Sequence, residues 1–205
     1  MRVNILREIG LYKNRSVFLL TLLLLSLGIV CAVYHSMHKN QQQVALYQDK
    51  WAYSKEVKLA FQQAVKNGRY HYVLQTVSTM NLPAHLALIP LLESDYKDHI
   101  VSSSGAAGAW QLSAEIAKDY GLRQQQRFEF KASTIAALKF LQQLHKQFGS
   151  WDLAMAAYNA GPGRVASALR KNPSATSVNE LALPRETLLY VARIKTMEKQ
   201  FQAMV

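Results

Sequence analysis

The sequence predicts a mostly α-helical domain, on three observations. Apolar residues recur at three- and four-residue spacing in one segment after another, the period of a helix with a single buried face. Ser, Gly and Pro fall at the ends of those segments, where helix caps and breaks belong. No stretch alternates apolar and polar residues over six positions, as a half-buried strand would. A chain of 205 residues is long enough for one domain with a proper core plus an appendage.

The elements follow in chain order. Residues 1–15 carry Arg2, Arg7, Lys13 and Arg15 against Glu8, and form a basic leader. Residues 16–34, SVFLLTLLLLSLGIVCAVY, hold no charge. At about 1.5 Å per residue they match the roughly 30 Å of a bilayer's hydrocarbon core. Basic residues in front of such a span predict a cytoplasmic N-terminus and an exported remainder. The expectation is a single-pass anchor, with a cleaved signal peptide as the rival reading, since Val30-Cys31-Ala32 offers small residues for cleavage. Val30 is too bulky to precede a lipidated cysteine, so Cys31 reads as a small apolar residue of the span. Residues 35–68 are polar and rich in glutamine, with Trp51, Val57, Phe61 and Val65 at irregular helical distances and a stop at Asn67-Gly68. They suit a membrane-proximal helical stalk.

Residues 69–205 read as the functional domain. Tyr70, Val73, Leu74 and Val77 make one helical face, broken at Asn81-Leu82-Pro83. A helix is expected over 84–96. Ser113 caps a short helix that Gly121 closes. Ile135, Leu138, Leu141, Leu144 and Phe148 form a stripe closed by Gly149. Ser150 caps the next helix, which Gly161-Pro162-Gly163 ends. Pro184 opens the last, with Leu188, Val191, Ile194 and Phe201 on one side. A short irregular β-like loop is expected around 102–108.

Composition excludes several classes of function. The net charge is +11, from 24 basic and 13 acidic residues, and beyond the leader it is spread without a dense block. That reads as attraction to an anionic surface or polymer rather than as a nucleic-acid stripe, and no finger or basic-zipper pattern occurs. A lone cysteine permits no intramolecular disulfide. His35, His38, His71, His85, His99 and His145 make no zinc motif, although His85 and His99 lie near Glu93. GAAGAWQ lacks the lysine and strand of a phosphate loop. No metal or other cofactor is expected.

The stretch LIPLLESDYKDHIVSSSGAAGAWQ, residues 88–111, carries the chemistry. Leu86, Ile89 and Pro90 precede Glu93 by seven, four and three positions, so Glu93 shares an apolar helical face. Burial without a cation raises a carboxyl pKa, and an acid still protonated near neutrality can protonate a sugar leaving group. A carboxylate that snorkels or pairs with an arginine is the competing reading. Asp95 and Asp98, at the helix exit, are expected in solvent. The serine-glycine loop that follows lets a polymer approach the backbone. Trp110 offers a stacking face or a core anchor, and Gln111 both a donor and an acceptor. Tyr158 and Asn159 stand at a helix end beside a glycine turn. Glu186 and Tyr190 are four apart and face one way, as a surface pair or a cleft pair.

Five segments in order, LPAHLALIPLLES, SSSGAAGAWQ, STIAALKFLQQL, AAYNAGPGRV and LPRETLLYV, resemble the family 1 lytic transglycosylases, and the membrane-bound type D group in particular. The resemblance implies a lysozyme-like, goose-type helical fold. It implies cleavage of the β-1,4 bond between N-acetylmuramic acid and N-acetylglucosamine in peptidoglycan, leaving a 1,6-anhydro end. It makes Glu93 the single acid/base. Ser94, Ser102, Gly108, Gln111, Tyr158, Asn159, Glu186 and Tyr190 become residues of the glycan cleft, with Ser103 and Ser104 as alternatives to Ser102. Trp110 stands where many soluble members carry methionine, as type D members tend to have it. The chain ends soon after this region, so the type D wall-binding repeats are not expected and the anchor replaces them. The domain is then expected in the periplasm, held to the inner membrane by residues 16–34, with glycan strands as its partner and no nucleic acid. A lysozyme-type hydrolase, or a non-catalytic wall-binding or secretion-assembly protein on the same fold, are the alternatives.

Overall fold

The computed structural model describes residues 26–32, 34–35 and 54–201. Most of the expected anchor, the basic leader and residues 36–53 lie outside the described residues. Residues 26–32 and 34–35 are helical and belong to a unit covering residues 1–43. Among the described residues, no helix is long and apolar enough to cross a membrane.

The second unit covers residues 44–205 and is built of helices, as the periodicity predicts. Its α-helices are α1 (Lys55–Lys66), α2 (Arg69–Thr79), α3 (Ile89–Ser94), α4 (Ala114–Asp119), α5 (Phe130–Phe148), α6 (Trp151–Ala160), α7 (Pro162–Lys171) and α8 (Arg185–Phe201). Short 3₁₀ turns occupy Ala84–Leu88, Gln124–Phe128 and Val178–Glu180. Ser54 and Ser113 cap α1 and α4 by accepting from the backbone N–H three residues on. Gly68, Gly121 and Gly149 take the left-handed conformation that ends a helix.

Two expectations need correction, and a third is extended. The helix expected over 84–96 is a 3₁₀ turn followed by the short α3. Pro90 has no N–H for the carbonyl of Leu86, so a single continuous helix cannot pass through it and the chain starts afresh. Asp95 and Tyr96 then turn left-handed and end α3 directly after Glu93 and Ser94. The α5 stripe holds at Leu138, Leu141 and Leu144, but Ile135 is exposed and the buried arc also takes in Ser133, Thr134, Ala136, Ala137 and Phe140. Steps of three residues drift by about 60° each around a helix, which carries the first member of the series off the buried face. Gly161-Pro162-Gly163 ends α6 as expected, but Pro162 also begins α7, where its missing N–H is harmless.

The core forms where α5 packs on α6, and α6 on α7 and α8. The turn Ala84–Leu88 is wedged against α2 and α8, and α3 reaches α8. Helix α1 joins the same core through Val57, Phe61 and Ala64, with the Phe61 ring stacked on Phe201 of α8 at 4.0 Å. Trp110 is fully buried, which makes it the anchor of the glycine loop and not a stacking surface. Its indole N–H donates to Thr134 Oγ1 at 2.9 Å, so its polar end is satisfied inside the core.

Candidate active site

Helix α3 is short, and its last turn presents Glu93 half-buried toward α8. Tyr190 on α8 is buried, and its hydroxyl donates to Glu93 Oε1 at 2.7 Å. Burial pushes the Glu93 carboxyl up to about 7; the Tyr190 bond pulls it down, and the negative charge of Glu186 adds a small upward push. The acid therefore keeps its proton well above the ordinary carboxyl range and gives it up around neutrality. Glu186 itself is exposed, one turn before Tyr190. The hydroxyls of Tyr190 and Tyr158 are held well above their ordinary pKa by burial and the nearby Glu93 charge, so both remain neutral donors.

The loop after α3 forms the second wall. Ala107 pairs with Val101 on one side and Leu112 on the other in isolated antiparallel bridges, the β-like irregularity expected there. Gly108 has φ +80°, and a Cβ on it would stand 1.9 Å from the carbonyl oxygen of Arg127. Only glycine meets both conditions. Gln111 is left-handed, with φ +47°. Its side-chain amide donates to the carbonyls of Gly108 and Ile100, at 2.9 and 3.1 Å, so the amide nitrogen braces the loop from within.

The loop is tied to the acid through its carbonyls. Ser94 Oγ donates to the Ala109 carbonyl at 2.9 Å, and Tyr158 Oη to the Trp110 carbonyl at 2.7 Å. Ser94 is thus a buried brace beside Glu93. Asn159 follows Tyr158 on the last turn of α6 and is half-buried. Ser102 Oγ accepts from the Ala106 N–H at 3.0 Å and lies 2.9 Å from Ser104 Oγ; Ser103 and Ser104 are exposed. The structure thus gathers Glu93, Ser94, Tyr158 and Tyr190 through direct contacts to the acid or its loop. Ser102 lies at the loop's far end.

Two contributors escape sequence reasoning. Arg69 donates to Asp98 Oδ1 at 2.9 Å and to the Tyr96 carbonyl, fixing the exit of α3. Asp98 is therefore half-buried and paired, not solvated as expected; Asp95 is exposed, with Lys97 at 3.0 Å. Arg127 is buried in the turn before α5 and donates to the carbonyls of Gly105 and Leu112. In the sequence RQQQRF, residues 123–128, nothing distinguishes it from the exposed Arg123. His85 sits 3.4 Å from Glu198, and His99 is exposed. Among the described residues, no cluster of three His, Cys, Asp or Glu could hold a metal ion.

An acid raised by burial, bonded to a tyrosine and followed by a glycine loop tied to its helix is an arrangement able to donate a proton, on a helical fold. The fold is shared with the 70 kDa soluble lytic transglycosylase of Escherichia coli, at a TM-score of 0.58 and 22% identity over 67% of this chain and 24% of that one. In sequence, the chain is 38% identical over 132 residues to membrane-bound lytic murein transglycosylase D of Escherichia coli, covering 60% of this chain and 29% of that protein. It is 41% identical over 104 residues to a putative tributyltin chloride resistance protein of an Alteromonas species, covering 48% of this chain and 50% of that one. The chain thus spans half or less of the curated relatives it matches. The family model described as the transglycosylase SLT domain matches residues 75–180. The chain belongs to the transglycosylase SLT domain family.

Proposed function

We propose that this chain is a lytic transglycosylase of peptidoglycan, cutting the bond between N-acetylmuramic acid and N-acetylglucosamine with Glu93 as the single acid/base. The observation that carries the reading is the state of Glu93: half-buried, hydrogen-bonded to Tyr190 and raised to about 7. The protonated carboxyl gives its proton to the glycosidic oxygen as the C1–O4 bond breaks, and N-acetylglucosamine leaves with a 4-hydroxyl. The N-acetyl group stabilises the oxocarbenium-like centre. The 6-hydroxyl of the same muramic acid then bonds to C1 and returns its proton to the Glu93 carboxylate. A 1,6-anhydro ring forms, no water is consumed, and the acid ends as it began. A hydrolase ordinarily needs a second carboxylate to activate water or attack C1. Here the nucleophile belongs to the substrate and is already positioned, so one acid suffices.

In this reading Ser94, Ser102, Gly108, Gln111, Tyr158, Asn159, Glu186 and Tyr190 shape and line the glycan cleft. Residues 69–205 form the catalytic domain and 35–68 lead to it, with α1 of that segment packed into its core. Residues 16–34 anchor it to the inner membrane, with the domain in the periplasm and residues 1–15 in the cytoplasm. The apolar character of that segment supports the anchor, as do the exposed Leu27, Ile29 and Val30 on its helical part. The net charge of +11 suits an anionic wall. Purified sacculi incubated with the full chain are expected to lose turbidity, and with Glu93→Gln to keep it. Equal clearing by both proteins would remove Glu93 from its role. No clearing by either would leave the wall-binding alternative.

A further inference from the structure

Arg127 is 5% exposed, and no carboxylate among the described residues pairs with it. Its hydrogen bonds go to carbonyls, and its guanidinium lies 6.0 Å from the centre of the Phe128 ring. Nη1 donates to Gly105 at 2.8 Å and to Leu112 at 3.1 Å, and Nε to Gln124 at 3.1 Å. Gly105 and Leu112 are the two ends of the glycine loop. Between them lie the two carbonyls bonded to the site, Ala109 to Ser94 and Trp110 to Tyr158. The backbone of Arg127 also lies so close to Gly108 that no side chain fits between them, and the residue holds the loop at both ends. A buried charge without a counter-charge is unfavourable; Nη1 alone bridges the two loop carbonyls while Nε, a donor that lysine lacks, holds the Gln124 carbonyl at the same time.

We propose that Arg127 is a positioning residue for the reaction at Glu93: its guanidinium fixes the 105–112 loop where Ala109 and Trp110 brace Ser94 and Tyr158 beside the acid. This rests on the transglycosylase reading above. Arg127 touches no reacting atom; it acts through the loop. Its loss therefore lowers turnover more than it weakens substrate binding, and a guanidinium supplied from solution restores turnover.

The test uses the full chain with a soluble glycan oligomer. Arg127→Lys and Arg127→Ala are compared with wild type for kcat and KM, with folded fraction followed by circular dichroism. We expect kcat per folded molecule to fall on the order of tenfold or more in both, with KM within a factor of about two. Methylguanidinium restores kcat in Arg127→Ala and leaves Glu93→Gln inactive. Hydrogen exchange at Ala107, Gln111 and Leu112 speeds up in Arg127→Lys, while that of α5 does not change. Unchanged kcat per folded molecule would overturn the inference. So would a loss that follows the folded fraction alone, or variants whose folding and activity methylguanidinium does not restore. An inactive wild type overturns the underlying reading instead, and is told apart because the Arg127 comparison begins from an active enzyme.

Discussion

The hydroxyl of Tyr190 meets the carboxyl of Glu93 at 2.7 Å across a sequence separation of 97 residues. This bond orients the acid and, because it favours the charged form, lowers its pKa against the upward push of burial. Tyr190→Phe keeps the ring and removes the bond. The alkaline limb of the rate profile is then expected to move to higher pH, while the maximal rate falls on the order of tenfold for loss of an orienting hydrogen bond to a charged group. A pH profile of glycan cleavage checks both.

Glu186 acts in the opposite sense. Its charge raises the Glu93 pKa from an exposed position one turn before Tyr190. Glu186→Gln removes that charge and is expected to move the alkaline limb to lower pH. Added salt is expected to shrink the difference between the two proteins, because an exposed charge is screened. The same profile at two ionic strengths measures it.

The raised pKa also reports on stability. Glu93 goes from an ordinary 4.5 to about 7 on folding, so between those values the folded protein keeps a proton that the unfolded chain releases. Its contribution is fully present below about 4.5 and is lost as pH rises to about 7. Glu93→Gln has no such loss and still accepts from Tyr190. It is expected to match wild type near pH 4 and to exceed it above pH 8 by about 1–3 kcal/mol. Denaturant melts at the two pH values decide this.

Gly108 tests the wall opposite the acid. An alanine there would be left-handed, and its Cβ would overlap the Arg127 carbonyl oxygen at 1.9 Å. Left-handed backbone alone costs about 1–2 kcal/mol, and displacing the loop adds to it. Gly108→Ala is expected to lower the melting temperature by several degrees and to slow cleavage further than Gly105→Ala does. At Gly105, also left-handed, an added Cβ meets nothing within 4 Å. Thermal melts and rates on the two variants make the comparison.

Local patterns made much of the architecture readable. Ser113, Gly121, Gly149 and Pro162 act at the helix ends their types imply, because capping is decided within a few residues. The setting of Glu93 was legible for the same reason: Ile89 and Pro90, one turn before it on α3, share its face, whereas Leu86, two turns before, belongs to the preceding 3₁₀ turn. Long-range partners were not legible. Which hydroxyl meets Glu93, whether Trp110 faces a sugar or the core, and whether Asp98 is free all depend on packing between distant segments. Arg69 shows this directly, since its partner Asp98 lies 29 positions away. Ile135 illustrates the other limit: a periodic series identifies a helix before it identifies which edge of the stripe is buried.

The chemistry assigned to Glu93 is tested most directly by the ends it leaves on the glycan. Purified sacculi would be digested with the full chain and the fragments separated and weighed by mass spectrometry. The expected muramic acid ends are one water lighter than reducing ends, resistant to borohydride and absent from the Glu93→Gln digest. Fragments ending in reducible muramic acid would contradict it, and would mean that water, not the substrate's own 6-hydroxyl, attacks at this site.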